Sequence, residues 1–171
     1  MDASAETRPD AGTGPDAPTR VRRVAHEITH DLVRAEDLRG LRSDLVAWVR
    51  ATAGCPEGPA LADRLDDVAT ALYEALTNVV DHAYPQGGGP LRVTARLTVT
   101  GGVDEPAENR AVSPSPWLEI EVADRGGWRP APADPGHRGR GLQLLAGLSD
   151  GHDVQRDPGG THVLLWWHRP P

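Results

Sequence analysis

A chain of 171 residues, 38% of them hydrophobic, can bury one good core and is too short for two comfortable ones. Its formal net charge of -7 argues against a dedicated DNA- or RNA-binding surface, since phosphate backbones are held mainly through clustered cations. All 18 residues counted as Lys plus Arg are Arg, which excludes the phosphate-binding lysine of a P-loop and the strand lysine of eukaryotic-type protein kinases. An acidic domain is better suited to a basic protein partner or to a nucleotide carried with its metal ion. The lone Cys55 allows no internal disulfide, and the N-terminus has no signal pattern. The longest apolar run, Val163 to Trp167, falls far short of the roughly 20 residues that span a membrane, so a cytoplasmic protein with no membrane segment is expected.

Residues 1–22 are dense in Pro, Gly, Asp and Thr and offer little to bury, so they read as a disordered tail ahead of one domain over 23–169. A first strand is predicted from Val24 to Leu32. Leu38, Leu41, Leu45, Val46 and Val49 then recur at helical spacing, giving a helix over Ala35–Ala53 that the Gly and Pro of residues 54–59 terminate. A second helix is predicted over Leu61–Tyr84. Leu65, Val68, Leu72, Leu76, Val79 and Ala83 form its apolar stripe, and Asp67, Glu74, Asn78 and Asp81 form a polar column on the other side. Taken alone, such a column is a solvated surface. Pro85 and the glycines at 87–89 end the helix.

Residues 91–100 alternate cleanly, with Leu91, Val93, Ala95, Leu97 and Val99 on one face, and so form a strand with one wet side. After a polar connector at 101–116, a second alternating strand places Leu118, Ile120 and Val122 on one face, and Asp124 continues that row. A carboxylate buried there costs several kcal/mol unless a donor meets it. A backbone amide or an Arg is the ordinary donor, and a ligand is the alternative. A Pro/Gly-rich loop leads to a short helix over 141–150, and two strands close the chain around the turn Asp157–Gly160. In the last strand Thr161, Val163, Leu165 and Trp167 share one face while Leu164 and Trp166 make the other apolar too, so it is either central or covered by a partner. The order strand, helix, helix, strand, strand, helix, strand, strand gives an α/β two-layer sandwich, with a mixed, mainly antiparallel sheet and about three helices on one face.

Four signals stand in this order: Glu74-x-x-x-Asn78 on a helix, Asp124-x-Gly126 at a strand end, Gly139-x-Gly141 opening a helix, and Gly160-Thr161 opening a strand. Together they resemble the N, G1, G2 and G3 boxes of the GHKL ATPases, the superfamily of gyrase, the heat-shock ATPase and histidine kinases, whose domain is the Bergerat ATP-binding fold. The resemblance covers about residues 24–168. Within it EALTNVVDHAY and RGRGLQLL look most like the anti-sigma-factor serine/threonine kinases, and no histidine-bearing dimerisation helix precedes the domain. The resemblance implies ATP and Mg2+ as cofactors. It implies that Asp124 accepts a hydrogen bond from the adenine amino group, that Gly126 lets the base approach, and that Thr161 supports the base. Gly139, Arg140 and Gly141 would present amides to the phosphates, Arg138 and Arg140 would add charge, and Leu142 belongs to the same run of nucleotide contacts. Asn78 would be the magnesium ligand and Glu74 the catalytic base for an attacking hydroxyl. The implied partners are an anti-sigma-factor antagonist carrying that hydroxyl, a sigma factor, and a second copy of the chain in a homodimer.

One position departs from the pattern. The G1 box reads Asp-x-Gly-x-Gly in the family, whereas Trp128 stands here in the last place and Gly127 is displaced by one. That departure leaves open a non-catalytic switch that binds partners according to its nucleotide. The histidines show no paired metal-ligand spacing, and none is expected to hold a metal.

Overall fold

The computed structural model describes residues 20–84, 87–101, 116–127 and 141–170. The expected tail before residue 20 and the phosphate-loop residues Arg138, Gly139 and Arg140, with Trp128, lie outside the described residues. Strand β1 (Arg20–Val33) is followed by helices α1 (Leu38–Thr52) and α2 (Pro59–Asn78), then β2 (Gly89–Gly101), β3 (Leu118–Asp124), α3 (Gly141–Leu148), β4 (Gly151–Asp157) and β5 (Gly160–Trp167). The strands lie in the order β1-β2-β3-β5-β4, and each of the four pairings is antiparallel, so the mixed component allowed for in the expected sheet is absent among the described residues.

The alternation of the strands decides which face is covered. Leu91, Val93, Ala95 and Leu97 of β2 lie opposite Asp124, Val122, Ile120 and Leu118 of β3. Val163, Leu165 and Trp167 of β5 continue the same rows, and all of these side chains are buried. The helices press their apolar stripes onto that face: Leu38, Leu41, Leu45 and Val49 from α1, Leu61, Leu65, Val68, Leu72 and Leu76 from α2, and Leu145 from α3. His26, on the helix side of β1, stacks on Trp48 of α1 with ring centroids 5.1 Å apart. The opposite face is polar and carries ion pairs, Arg23 to Glu119 at 2.7 Å and Arg96 to Glu121 at 3.6 Å. β5 is an inner strand, between β3 and β4; on the otherwise polar face its Leu164 and Trp166 are half-buried, and the Trp166 indole lies over Gly151, where a side chain would overlap it.

Two elements differ from their predicted spans. β1 begins at Arg20, so Arg20, Val21 and Arg22 are strand and not tail; it is the edge of the sheet, exposed along much of its length, and its apolar pattern fades there. The long helix was expected to run to Tyr84. Regular α-helix stops at Asn78, and Val79–Ala83 form a wider π turn with Tyr84 as the residue beyond it. Such turns shift the following backbone off the helix path, and here that brings Ala83 against Gly126 and the Tyr84 hydroxyl against Pro90 and Arg125.

Candidate functional site

Glu74 and Asn78 lie one helical turn apart near the end of α2, and the spacing of four residues points both side chains to the same side. The first residue of α3 meets them there. A methyl group on Gly141 would sit 2.6 Å from Glu74 Oε1 and 3.4 Å from Asn78 Nδ2, so the start of α3 lies directly against both side chains and a larger residue there would push the Glu74 carboxylate aside. All three line one open cleft of about 1170 Å³, with Arg34 and Glu36 on one wall and Gln143 and Leu144 on another. Glu74 lines the cleft, and among the described residues no cation pairs with its carboxylate.

Asp124 anchors a second group of residues. It is buried at the end of β3, and its Oδ1 accepts hydrogen bonds from the amides of Gly126 at 2.9 Å and Thr161 at 3.2 Å. Backbone amides are therefore the donors for that oxygen. Among the described residues no donor reaches Oδ2, which keeps an acceptor available. Gly160, at φ +139, is pressed so close to the Asp124 carbonyl that no side chain fits, and this is how the turn before β5 delivers the Thr161 amide. Thr161 thus reaches Asp124 through its backbone amide. The Cα of Gly126 faces Ala83, whose Cβ and carbonyl fill the space a side chain would need. That close packing is a use of Gly126 which the spacing of the motif does not reveal.

The two groups are joined by the π turn. Tyr84 donates its hydroxyl hydrogen to the Pro90 carbonyl at 2.6 Å and accepts the Arg125 amide at 2.8 Å. Burial raises its pKa above the ordinary 10.0; the Arg125 amide opposes this and the nearby Asp124 charge adds to it. Sequence reasoning gave Tyr84 no role, and its only signal was an aromatic residue standing between the helix and the Pro/Gly turn. Asp81 and His82 are exposed on the rim of the cleft, and Asp67 lies farther back on α2. The backbone of Leu142 belongs to the first turn of α3.

Residues 32–167 match the family described as the histidine kinase-like ATPase domain. The chain belongs to the histidine kinase-like ATPase family. This is the GHKL class that the four motifs resemble, and the sheet with its three helices is the corresponding sandwich. Among solved structures, the crystal structure of the RsbU and RsbW domains of Rv1364c from Mycobacterium tuberculosis superposes with a TM-score of 0.53 at 18% identity. The match covers 90% of this chain and 34% of that one, so the chain spans about a third of its length, and the likeness is one of fold. None of the curated proteins compared with the chain matches it. No helix of the described residues is long and apolar enough to cross a membrane.

The residues present fit the ligand this ATPase family takes. Asp124, a buried residue, keeps in Oδ2 an acceptor that no described donor reaches. Asn78 carries an amide oxygen beside the glycine that opens α3. Among the described residues no group of three or more His, Cys, Asp or Glu side chains could hold a metal by itself.

Proposed function

We propose that this chain is an ATP-dependent serine/threonine protein kinase of the anti-sigma-factor type. It binds an antagonist protein, phosphorylates one hydroxyl on it, and so controls the release of a sigma factor. The observation that carries this reading is the placing of the Glu74 carboxylate, unpaired among the described residues, one turn from Asn78 and against the Gly141 start of α3, in a cleft roomy enough for a triphosphate and an incoming side chain.

Bound magnesium ATP supplies the phosphoryl group and the neutralised charge that in-line transfer needs. Asp124 accepts from the adenine amino group through Oδ2, and the amides of Gly126 and Thr161 hold Oδ1 so that the carboxylate keeps its direction. Asn78 provides an oxygen for the ion. Gly141, at the start of α3, would offer its amide to the phosphates, and by their place in the motif Arg138, Gly139, Arg140 and Leu142 would add amides and charge there. Glu74 takes the proton of the acceptor hydroxyl as the oxygen attacks. The working unit is a cytoplasmic homodimer, with no nucleic-acid or membrane partner.

Trp128, in the place of the last G1 glycine, motivates a second reading, in which the domain binds ATP and switches partner affinity without transferring phosphate. Labelled ATP with a panel of antagonist-type proteins separates the two. Label on a partner serine or threonine supports the kinase. Nucleotide-dependent binding with no label on any partner supports the switch.

A further inference from the structure

Tyr84 stands where the two groups of site residues meet. Its hydroxyl is used in both directions, donating to the Pro90 carbonyl at the start of β2 and accepting the Arg125 amide just past β3. Its ring covers Gly89 so closely that any side chain there would overlap Cδ1, Cε1 and Cζ. The neighbouring Ala83 fills the space over Gly126. Residues 83 and 84 therefore grip residues 125 and 126 from one side, while the Thr161 amide holds Asp124 from the other.

We propose that Tyr84 is a positioning residue for base recognition: by fixing the Arg125 amide to the end of the π turn, its hydroxyl sets the direction in which the buried Asp124 carboxylate meets an adenine amino group. The inference deepens the ATP-binding reading above and rests on it. Removing the hydroxyl while keeping the ring would leave Gly89 covered and the packing intact. The Arg125 amide and the Pro90 carbonyl would lose their shared partner, and the Asp124–Gly126 turn would be free to shift. Glu74 and Asn78 precede the π turn on α2 and make no contact with that hydroxyl, so the phosphate end of the site should be untouched. The predicted defect is selective for the base.

Calorimetric titrations of the full chain and of Tyr84→Phe with Mg-ATP and Mg-ITP read this selectivity, because inosine lacks the 6-amino group that Asp124 recognises. The wild type should prefer ATP. Tyr84→Phe should weaken ATP by about tenfold, the effect of one hydrogen bond, and leave ITP nearly unchanged, so that the preference collapses. Circular dichroism melts of both proteins, with binding read well below both transitions, show that the variant is folded. Equal weakening of ATP and ITP would mean a merely structural role and overturn the proposal, as would an unchanged ATP/ITP ratio. A wild type that binds ATP without preferring it over ITP overturns the assignment of Asp124 and with it that of Tyr84, while a wild type that binds neither nucleotide overturns the ATP reading itself.

Discussion

Asp124 and Glu74 are both carboxylates, yet the structure gives them different surroundings and hence different expected defects. Asp124 is buried, and two amides hold one of its oxygens, so Asp124→Asn would place a donor where the adenine amino group must donate. ATP binding should fall by about 2 kcal/mol, in the range for an unsatisfied buried polar group. Glu74 is half-buried at the cleft and unpaired among the described residues. Glu74→Ala should bind Mg-ATP as well as wild type and lose phosphotransfer by at least about 100-fold, the contribution typical of a positioned base. Equal loss of binding and transfer in a quenched-flow assay would remove Glu74 from that role. Asp124 was legible in the sequence because it continues a buried row, whereas Glu74 stood out from its polar column only through the resemblance carried by the four motifs together. Tyr84 and the packing use of Gly126 were not, because each depends on a contact across about 40 residues that no local pattern encodes.

At a third carboxylate the effect is on stability. Partial burial raises the pKa of Asp150, but the His168 amide, at 2.6 Å, and then Arg64 outweigh it and hold the group below its ordinary 3.8. A depressed carboxylate stabilises the fold fully above its unfolded value, and the stabilisation is lost as pH falls through the still lower folded value. The melting-temperature gap between wild type and Asp150→Asn should therefore be constant at neutral pH and close below about pH 4. A gap that stays open in acid would contradict this.

Among the elements, α2 and β2 were readable because one face of each is buried and the other wet, which imposes periods of 3.6 and 2 on the sequence. β1 was legible only in part. As an exposed edge strand it has little burial to enforce alternation, and its first residues looked like tail. The π turn was invisible because Val79 and Ala83 keep the helical apolar spacing while the backbone leaves the α path. Its importance can be measured through its contact. Gly126→Ala would drive a methyl group into the Ala83 backbone and should cost about 1–3 kcal/mol, as overpacking does. A melting temperature equal to wild type would show that the turn yields instead.

For the whole molecule, the antiparallel order β1-β2-β3-β5-β4 brings the ends of β3 and β5 together, so Asp124 and Thr161, 37 positions apart, share a hydrogen bond. The α2–α3 contact puts Glu74, Asn78 and Gly141 into the cleft. The π turn links the two groups, through Ala83 against Gly126 and Tyr84 against Arg125. The layer order followed from the sequence; the central place of β5 did not, since an apolar strand on both faces fits an inner position and a covered one equally well. The most direct test is calorimetric titration of Mg-ATP into the intact chain and into Asp124→Asn. The expected result is one nucleotide bound per chain by the wild type and sharply weakened binding by the variant. No binding by the wild type, or undiminished binding by Asp124→Asn, would contradict a nucleotide site built on these residues.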